Sequence, residues 1–289
     1  MSLIIGIDVG GSTTKIVGIE DGTHIKSPMA ITANDPITSL FGAFGKYLYD
    51  NDIAINEVEH VMLTGVGAGG VTTPIYGLAT THVDEFQADG LGARFASGLN
   101  QLIAVSMGTG TTLVRVNGDD IRHIGGISMG GGTLQGLSHL LLKTTDIGEV
   151  VKMASHGDLS HINLQIKDIS KALIEGLPMH ATASLFGKAV NGNANDCDIA
   201  KGLICMVLET IGSCAVLSQV NGGFKDFVLI GNLTQLPECQ LIFPMMESLY
   251  GVRFHIPEHA RYCTALGAAL SFGKEGRDIL TGTESTLDK

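Results

Sequence analysis

The sequence predicts an α/β protein built from two similar halves that face each other across a cleft. An apolar, mostly β-branched run at Leu3–Val9 ends in a turn of glycines and hydroxyls, and a second strand follows. The same order of strand, turn and strand returns at Leu102–Val116, and three glycines at 130–132 precede a helical pattern. Because 289 residues exceed what one core usually serves, we expect two domains, at residues 1–100 and 101–289.

Composition excludes several classes of protein. Hydrophobic residues make up 44% of the chain and charged residues 16%, which is typical of a compact fold with a large core. The net charge of -11 argues against nucleic acid or an anionic membrane as the main partner, because both require a cationic face. A small anionic ligand remains compatible with an acidic protein that has a local positive site.

The cysteines and the apolar runs indicate where the protein works. The chain has five cysteines and no C-x-x-C pair, so we expect reduced, mostly buried thiols rather than a zinc or iron-sulfur site. No apolar run looks long enough to span a membrane, and no basic segment followed by an apolar one opens the chain. We therefore expect a cytoplasmic protein that contacts no membrane.

The turn after the first strand carries groups that suit a magnesium-bound polyphosphate. Asp8 offers a carboxylate for the metal or its waters, Gly10 and Gly11 leave the backbone open to phosphate oxygens, and Lys15 adds an ammonium. An ordinary hairpin whose glycines only permit positive φ would look the same. This stretch alone leaves both interpretations open.

The remainder of the first half alternates helix and strand. Pro36 opens a helix that runs to about Asp50, and the strand 60–63 ends in a second glycine-rich exit. A helix then begins at Val83, with three acids near its start: Asp84, Glu85 and Asp89. Capping the positive end of the helix dipole is the ordinary explanation for such acids.

The second half repeats the hairpin and adds helices. The glycine triplet at 130–132 stands at a helix start, where the helix dipole favours phosphate or ribose. Residues 146–193 predict a mostly helical insertion, including helices at 166–174 and 183–190. A long apolar helix from Cys197 to Val220 follows, and its small residues favour close helix packing. A later strand exits at Gly231-Asn232.

With these motifs placed, the chain resembles the actin-like ATPase and sugar-kinase superfold, whose duplicated ribonuclease H-like domains enclose a nucleotide cleft. Within it, the chain is similar to the eukaryotic-type, or type II, pantothenate kinase family over nearly its whole length. The motifs that match in the same order are Asp8–Lys15, Val83–Phe86, Gly108–Thr111, Gly125–Gly132, His156–Asp158 and Ala265–Ala268.

The resemblance implies phosphorylation of pantothenate by ATP with Mg²⁺, the first step toward coenzyme A. It makes Glu85, seven residues before Gly92, the general base that accepts the hydroxyl proton. It makes Asp8 the holder of magnesium or its waters. The residues that it places around ATP are Asp8, Val9, Gly10, Gly11, Ser12, Thr13, Thr14, Lys15, Thr109, Gly130, Gly131, Gly132, Thr133, Leu134 and Asn232.

The acceptor end of the site departs from the family. Thr109 and Thr112 match hydroxyls that lie near the substrate in the family. Where the family carries an arginine that contacts the pantothenate carboxylate, this chain has His123, with Arg122 one residue early. Adjacent side chains on a strand face opposite ways, so Arg122 does not substitute, and a histidine is a weaker, pH-dependent carboxylate partner.

The resemblance also implies partners, and two other functions stay open. The family suggests a homodimer, which we expect through the helix after Asp196, and an acyl-CoA feedback ligand. The opening motif also echoes ATPase activators of 2-hydroxyacyl-CoA dehydratases, although those proteins hold an iron-sulfur cluster through cysteines that have no paired counterpart here. A nucleotide-binding regulatory protein without acceptor turnover is the third possibility, and it rests on the change at His123.

Overall fold

The computed structural model describes residues 2–32, 35–174, 176–219 and 222–281, with side chains described through residue 273. The strands are β1 (Leu3–Val9), β2 (Thr13–Glu20), β3 (His24–Ile25), β4 (Met29–Thr32), β5 (Val58–Thr64), β6 (Thr80–His82), β7 (Gln101–Met107), β8 (Thr111–Asn117), β9 (Asp120–Ile127), β10 (Leu164–Gln165), β11 (Thr182–Ser184), β12 (Asp226–Ile230) and β13 (Arg253–His255). The helices are α1 (Pro36–Asp50), α2 (Glu85–Ser97), α3 (Gly131–Leu142), α4 (Ile147–Ala154), α5 (Leu159–Ile162), α6 (Ile166–Ile169), α7 (Asp196–Leu217), α8 (Cys239–Tyr250) and α9 (Cys263–Thr281).

The two main sheets have the same topology. The first runs β3-β2-β1-β5-β6, with β4 also paired to β2, and the second runs β9-β8-β7-β12-β13. In each sheet an antiparallel hairpin supplies the central strand, and two parallel strands follow on its other side. The duplication predicted from the repeated hairpin is confirmed, and the fold class with it.

Strand β1 is the central strand of the first sheet, and all of its residues are buried. Its hairpin pairs Asp8 with Lys15 and Val9 with Thr14, and Gly10 closes the turn by donating its N–H to the Thr13 carbonyl at 3.0 Å. A strand buried on both faces reads as an uninterrupted apolar run, which is the pattern that the sequence shows.

Helices cover both faces of each sheet. Helix α1 packs its Leu40 and Phe44 side chains under the first sheet, and Asp35 caps it by accepting the Thr38 N–H at 2.7 Å. In the second half, α7 and α8 share one core with β7, whereas α2 packs against the other face of the second sheet. Helix α2 therefore lies between the two halves.

Helix α9 belongs to the predicted second domain but packs on the first sheet, against β1, β2 and β5. A Cβ on Gly6 of β1 would overlap the Ala265 carbonyl, so the strand and the helix touch backbone to backbone. Helices α2 and α9 cross equally closely, because Cβ atoms on Gly92 and Gly267 would overlap the carbonyls of Cys263 and Ala88. The domain boundary at residue 100 stays a prediction.

The insertion is less helical than its sequence predicts. The helix that begins at Ile166 ends at Ile169, and Thr182–Ser184, predicted as the start of a helix, forms a strand paired with β10. Each of these elements is four residues long or shorter, so tertiary pairing overrides weak local propensity.

Helix α7 is long and apolar enough to cross a membrane by length and composition, which corrects the expectation that no run reaches that length. In this fold 56% of its apolar window is buried inside the protein. Its small residues serve that packing: Gly202 touches Phe186, and Gly212 touches Met246 of α8.

Candidate active site

The turns of the two hairpins face each other across a cleft of about 410 Å³. A Cβ on Gly11 in the first turn would lie 3.7 Å from the Thr109 hydroxyl in the second. The residues that line the cleft are Asp8, Gly10, Gly11, Ser12, Thr13, Lys15, Val66, Glu85, Ser106, Gly108, Thr109, Gly110, Thr111, Thr112, Gly126, Ile127, Ser128, Gly231, Asn232 and Thr264. The cleft is therefore built from both halves of the chain.

Asp8 and Lys15 form a buried ion pair at the end of the central strand, with Lys15 Nζ 2.8 Å from Asp8 Oδ2. Both side chains line the cleft. In the described part of the chain, no group of three or more His, Cys, Asp and Glu could hold a metal. Mg²⁺ usually needs only one or two carboxylates when phosphate oxygens supply the remaining ligands, so a single aspartate in a cleft that can hold phosphates fits that ion.

Strand alternation divides the predicted turn residues into two sets. Ser12, Thr13 and Lys15 line the cleft, whereas the side chains of Val9 and Thr14 are fully buried on the other face of the hairpin. The Thr14 hydroxyl has no hydrogen-bond partner among the described residues. Val9 and Thr14 were both predicted around ATP, and the structure leaves them no side-chain contact with the cleft.

The glycine triplet packs against the second turn rather than standing free. The N–H of Gly131 donates to the Gly108 carbonyl at 2.8 Å, and that of Gly132 donates to the Thr109 carbonyl at 2.9 Å. A Cβ on Gly130 would lie 2.5 Å from the Thr109 carbonyl oxygen, so only glycine permits this approach. The sequence predicts that the triplet approaches phosphate or ribose, but these two N–H groups already donate to carbonyls of the protein.

The two residues after the triplet also point away from the cleft. The Thr133 hydroxyl donates to the Ser128 carbonyl at 3.3 Å. The Leu134 side chain lies in the core of the second half. Neither residue, nor Gly130, lines the cleft or the cavity beside it, although all three were predicted around ATP.

A second cavity of about 510 Å³ continues from the cleft and shares Ser12, Gly108, Thr109 and Asn232 with it. Gly131 and Gly132 form part of its wall. The apolar side chains that line it are Ile147, Val151, Leu233, Leu236 and Pro237. A polar cleft joined to an apolar cavity suits a ligand with a charged end and a flat aromatic end.

Asn232 connects the two halves at the junction of these cavities. Its Nδ2 donates to the Thr13 hydroxyl at 3.0 Å, and its Oδ1 accepts from Arg261 Nε at 3.2 Å. The residue follows Gly231, whose φ of 92° and close approach to the Met107 carbonyl require glycine. The predicted exit at Gly231-Asn232 thus reaches the cleft.

Glu85 is the first residue of α2, and its side chain lines the cleft. Burial raises the pKa of Glu85, the charges of Asp8 and Asp84 raise it further, and Lys15 opposes them. Asp84 is the capping residue, since its Oδ1 accepts the Gln87 N–H at 3.0 Å. A half-buried carboxylate with a raised pKa in a cleft is a common form of catalytic base.

Asp89 does not cap the helix, contrary to the expectation for the three acids. It is fully buried one turn further along α2, and its Oδ1 accepts the Thr264 hydroxyl at 2.6 Å. Sequence alone gave no sign of this contact, because Thr264 lies 175 residues away. Burial raises the pKa of Asp89 to about 7.

The acceptor residues predicted from the sequence separate in space. Thr109 and Thr112 line the cleft, whereas His123 does not. The His123 ring stacks on the ring of Phe86, next to Glu85, with centroids 4.0 Å apart and planes 12° apart. Arg122 points elsewhere and pairs with Asp120 at 2.6 Å, as strand alternation predicts.

Sequence reasoning missed several hydroxyls of the cleft wall. Ser106, Thr111 and Thr264 all line it, together with Ser128. Ser106 and Thr111 stand at the two strand ends beside the second turn, so the alternation of β7 and β8 could have found them. Thr264 lies on α9, and nothing local marks it.

Comparison with known proteins gives a consistent result. The family described as Fumble matches residues 97–271. A type II pantothenate kinase from Staphylococcus aureus (strain MRSA252) is 33% identical over 281 residues, which cover 93% of this chain and 99% of that protein. A type II pantothenate kinase from Staphylococcus epidermidis (strain RP62A) is 29% identical over 276 residues, covering 91% and 98%.

Solved structures support the fold. The activator of 2-hydroxyisocaproyl-CoA dehydratase from Clostridium difficile with bound ADPNP aligns with a TM-score of 0.68 and 15% identity, covering 99% of this chain and 100% of that one. A ROK hexokinase from Thermus thermophilus aligns with a TM-score of 0.56 and 15% identity, covering 96% and 99%. At such identities the likeness shows the fold alone.

Three of the five cysteines here are buried and all are free, as expected for reduced thiols.

Proposed function

Because the chain belongs to the type II pantothenate kinase family, we propose that it transfers a phosphoryl group from ATP to pantothenate in this cleft, the first step toward coenzyme A. The observation that carries the proposal is the position of Glu85, a carboxylate with a raised pKa, in the same cleft as the two glycine and hydroxyl turns. The activator alternative is not favoured, since its likeness is limited to the fold.

ATP fits the pair of cavities. The polar cleft between the turns suits the phosphates, because Gly10, Gly11 and the Lys15 ammonium face it. The apolar cavity beside it suits the adenine ring, and Asn232 lies where the cleft and the cavity meet. A relative of the same fold holds the ATP analogue ADPNP.

Glu85 supplies the acid-base chemistry in this proposal. Its carboxylate accepts the proton of the acceptor hydroxyl while that oxygen bonds to the terminal phosphorus and the bond to the bridging oxygen of ADP breaks. The raised pKa brings Glu85 closer to the pH at which the enzyme works and makes it a stronger base, but the residue acts only in its ionised form. Positioning of the two substrates contributes most of the remaining rate.

Asp8 would hold Mg²⁺ or its waters, and the ion would neutralise phosphate charge when bound. The protein itself prepares this place by burying Asp8 against Lys15. Lys15 can then contact phosphate as well as the carboxylate, since an ammonium has three donors.

Threonine hydroxyls and His123 are the groups that we propose contact the phosphoryl acceptor. Thr109 and Thr112 lie at the cleft and suit a hydroxylated acceptor. His123 stacks on the ring of Phe86, the neighbour of Glu85, and we propose that it meets the carboxylate end of pantothenate more weakly than an arginine would.

We also propose three further properties: the family suggests the first two, and the cysteine pattern and apolar runs suggest the third. The protein forms a homodimer, although the small residues of α7 on which that expectation rested pack within the chain. An acyl-CoA acts as a feedback ligand. The protein works in the cytoplasm. Solution scattering tests the dimer, and titration of acetyl-CoA into the kinase assay tests feedback.

The experiment that tests the function couples ADP release to a panel of acceptors: pantothenate, pantetheine and hexoses. We expect release that depends on pantothenate and on Mg²⁺, and that Glu85→Ala abolishes while ATP still binds. Release that is independent of every acceptor would instead identify an ATPase. No release with ATP binding intact would favour a regulatory protein.

A further inference from the structure

Asp89 has no role in the proposed reaction, yet it is hydrogen-bonded to residues that line the cleft. It follows Glu85 by one turn of α2 and is fully buried. A buried carboxylate is costly unless hydrogen-bond donors surround it. Its donors therefore indicate what it does.

The donors are hydroxyls from three different elements of the fold. Thr264 of α9 donates to Asp89 Oδ1 at 2.6 Å, and Thr112 of β8 donates to Oδ2 at 3.4 Å. A hydrogen bond from Ser106 of β7 also lowers the pKa of Asp89. All three hydroxyl residues line the cleft, and we call them its hydroxyl wall.

The direction of these hydrogen bonds is fixed by chemistry. An ionised carboxylate only accepts, and a hydroxyl has one hydrogen and two lone pairs. A hydroxyl that gives its hydrogen to Asp89 therefore turns its lone pairs toward the cleft. Through these hydroxyls the hydroxyl wall then accepts hydrogen bonds from the cleft and donates none.

We propose that Asp89 is a positioning residue that fixes the hydroxyls of Thr264 and Thr112 as hydrogen-bond acceptors, so that the wall binds the phosphoryl acceptor through its own O–H and N–H groups. The inference rests on the proposed kinase function and specifies how the acceptor is selected. Pantothenate carries a second hydroxyl and an amide N–H besides the reacting hydroxyl, and both are donors of this kind.

The surroundings of Asp89 define when this state exists. Burial raises its pKa to about 7, the hydroxyl hydrogen bonds oppose that rise, and the charges of Glu85 and Asp8 add to it. The Cys263 thiol faces it from α9 and has a raised pKa, so it adds no charge. The carboxylate form prevails above pH 7, and kinetics measured there report on it.

Asp89→Asn tests the inference, because the amide keeps the shape but replaces one accepting oxygen with a donor. One wall hydroxyl must then reverse and point its hydrogen at the cleft. Above pH 7 we expect the KM for pantothenate to rise about tenfold, the value of one hydrogen bond, while the KM for ATP stays within about twofold.

Substitutions at Thr264 give a second measurement that does not depend on Asp89→Asn folding. Thr264→Ser keeps the hydroxyl and should keep the wild-type KM for pantothenate. Thr264→Val removes it and should raise that KM alone. Thr182→Val is the matched control, since the Thr182 hydroxyl also donates to a carboxylate, that of Glu209 at 3.1 Å, but in the insertion away from the cleft.

Two outcomes contradict the inference alone. In one, folded Asp89→Asn and Thr264→Val both keep the wild-type KM for pantothenate. In the other, both KM values rise in parallel, as a merely structural role would produce. A wild-type protein without pantothenate-dependent ADP release contradicts the proposed function as well.

Discussion

The Asn232 side chain donates a hydrogen bond to the Thr13 hydroxyl at 3.0 Å, although 219 residues separate them. One residue belongs to the first hairpin and the other to the exit of β12 in the second half. Because both line the cleft, this bond joins the two walls between which ATP would lie.

We predict that Asn232 and Thr13 are coupled in nucleotide binding. In a double-mutant cycle of Asn232→Ala and Thr13→Ala, we expect a coupling free energy of about 0.5–1.5 kcal/mol in the binding of ADP, measured by calorimetry. Gln101→Ala is the control, since its side chain bonds Asn117 at the exposed far end of β7. Strictly additive effects of the two substitutions would show that the contact does not shape the cleft.

We predict that Glu85→Gln lowers kcat by about 10²- to 10⁴-fold, the usual contribution of a general base, with ATP binding unchanged. Because the pKa of Glu85 is raised, the wild-type rate should fall as pH decreases through a value above the ordinary 4.5 of a glutamate. The variant should lose that dependence. Asp84→Asn keeps a capping side chain and should retain the rate at neutral pH. Because it removes a charge that raises the pKa of Glu85, its pH profile should shift toward lower pH but persist. Loss of ATP binding in Glu85→Gln would assign the residue to the nucleotide instead.

We predict that substitutions of the buried pair of Asp8 and Lys15 affect protein stability and kinase activity differently. Removing one partner, as in Asp8→Asn or Lys15→Met, leaves a buried group unpaired and should cost about 3–5 kcal/mol of unfolding free energy. The double variant should recover much of that free energy in chemical denaturation. It should remain inactive in ADP release, because neither the carboxylate nor the ammonium is left. An active double variant would remove both residues from the proposed mechanism.

We predict that the crossing of α2 and α9 tolerates no side chain at Gly92. Gly92→Ala would press a methyl group into the Cys263 carbonyl and should destabilise the protein by about 1–3 kcal/mol or more. Gly42→Ala is the matched control, since Gly42 lies exposed in α1 with open space around it, and it should stabilise by about 0.5–1 kcal/mol. Chemical denaturation measures both. Equal effects would mean that the helices move apart at little cost.

The hairpins were predictable from sequence because their determinants are local. The buried runs of β1 and β2 and the glycines of the turn between them are consecutive in the sequence, and the structure pairs Asp8 with Lys15 across that turn. The spacing of Glu85 and Gly92, taken only as a family pattern, has a physical reason: Gly92 fixes α2 on α9 and so places the helix start at the cleft.

What could not be predicted depends on distant partners. Asp89 looked like a helix cap because it stands near the start of α2. Its actual partners were hidden because they are hydroxyls of β7, β8 and α9. The glycines at 131 and 132 looked free for phosphate because the carbonyls that take their N–H groups belong to an earlier turn. The ring stack of His123 on Phe86 likewise arises only when β9 meets α2.

The position of α9 has a consequence for synthesis of the protein. The strands of the first sheet leave the ribosome well before Ala265 and Ala269, which complete one face of that sheet. Domains otherwise tend to fold in order from the N-terminus as the chain emerges, at about 5–20 residues per second. In this protein one face of the first sheet stays uncovered until α9 has been made. Ribosome-bound chains that stop before residue 263 should therefore expose Ile4 and Val17 to chaperones.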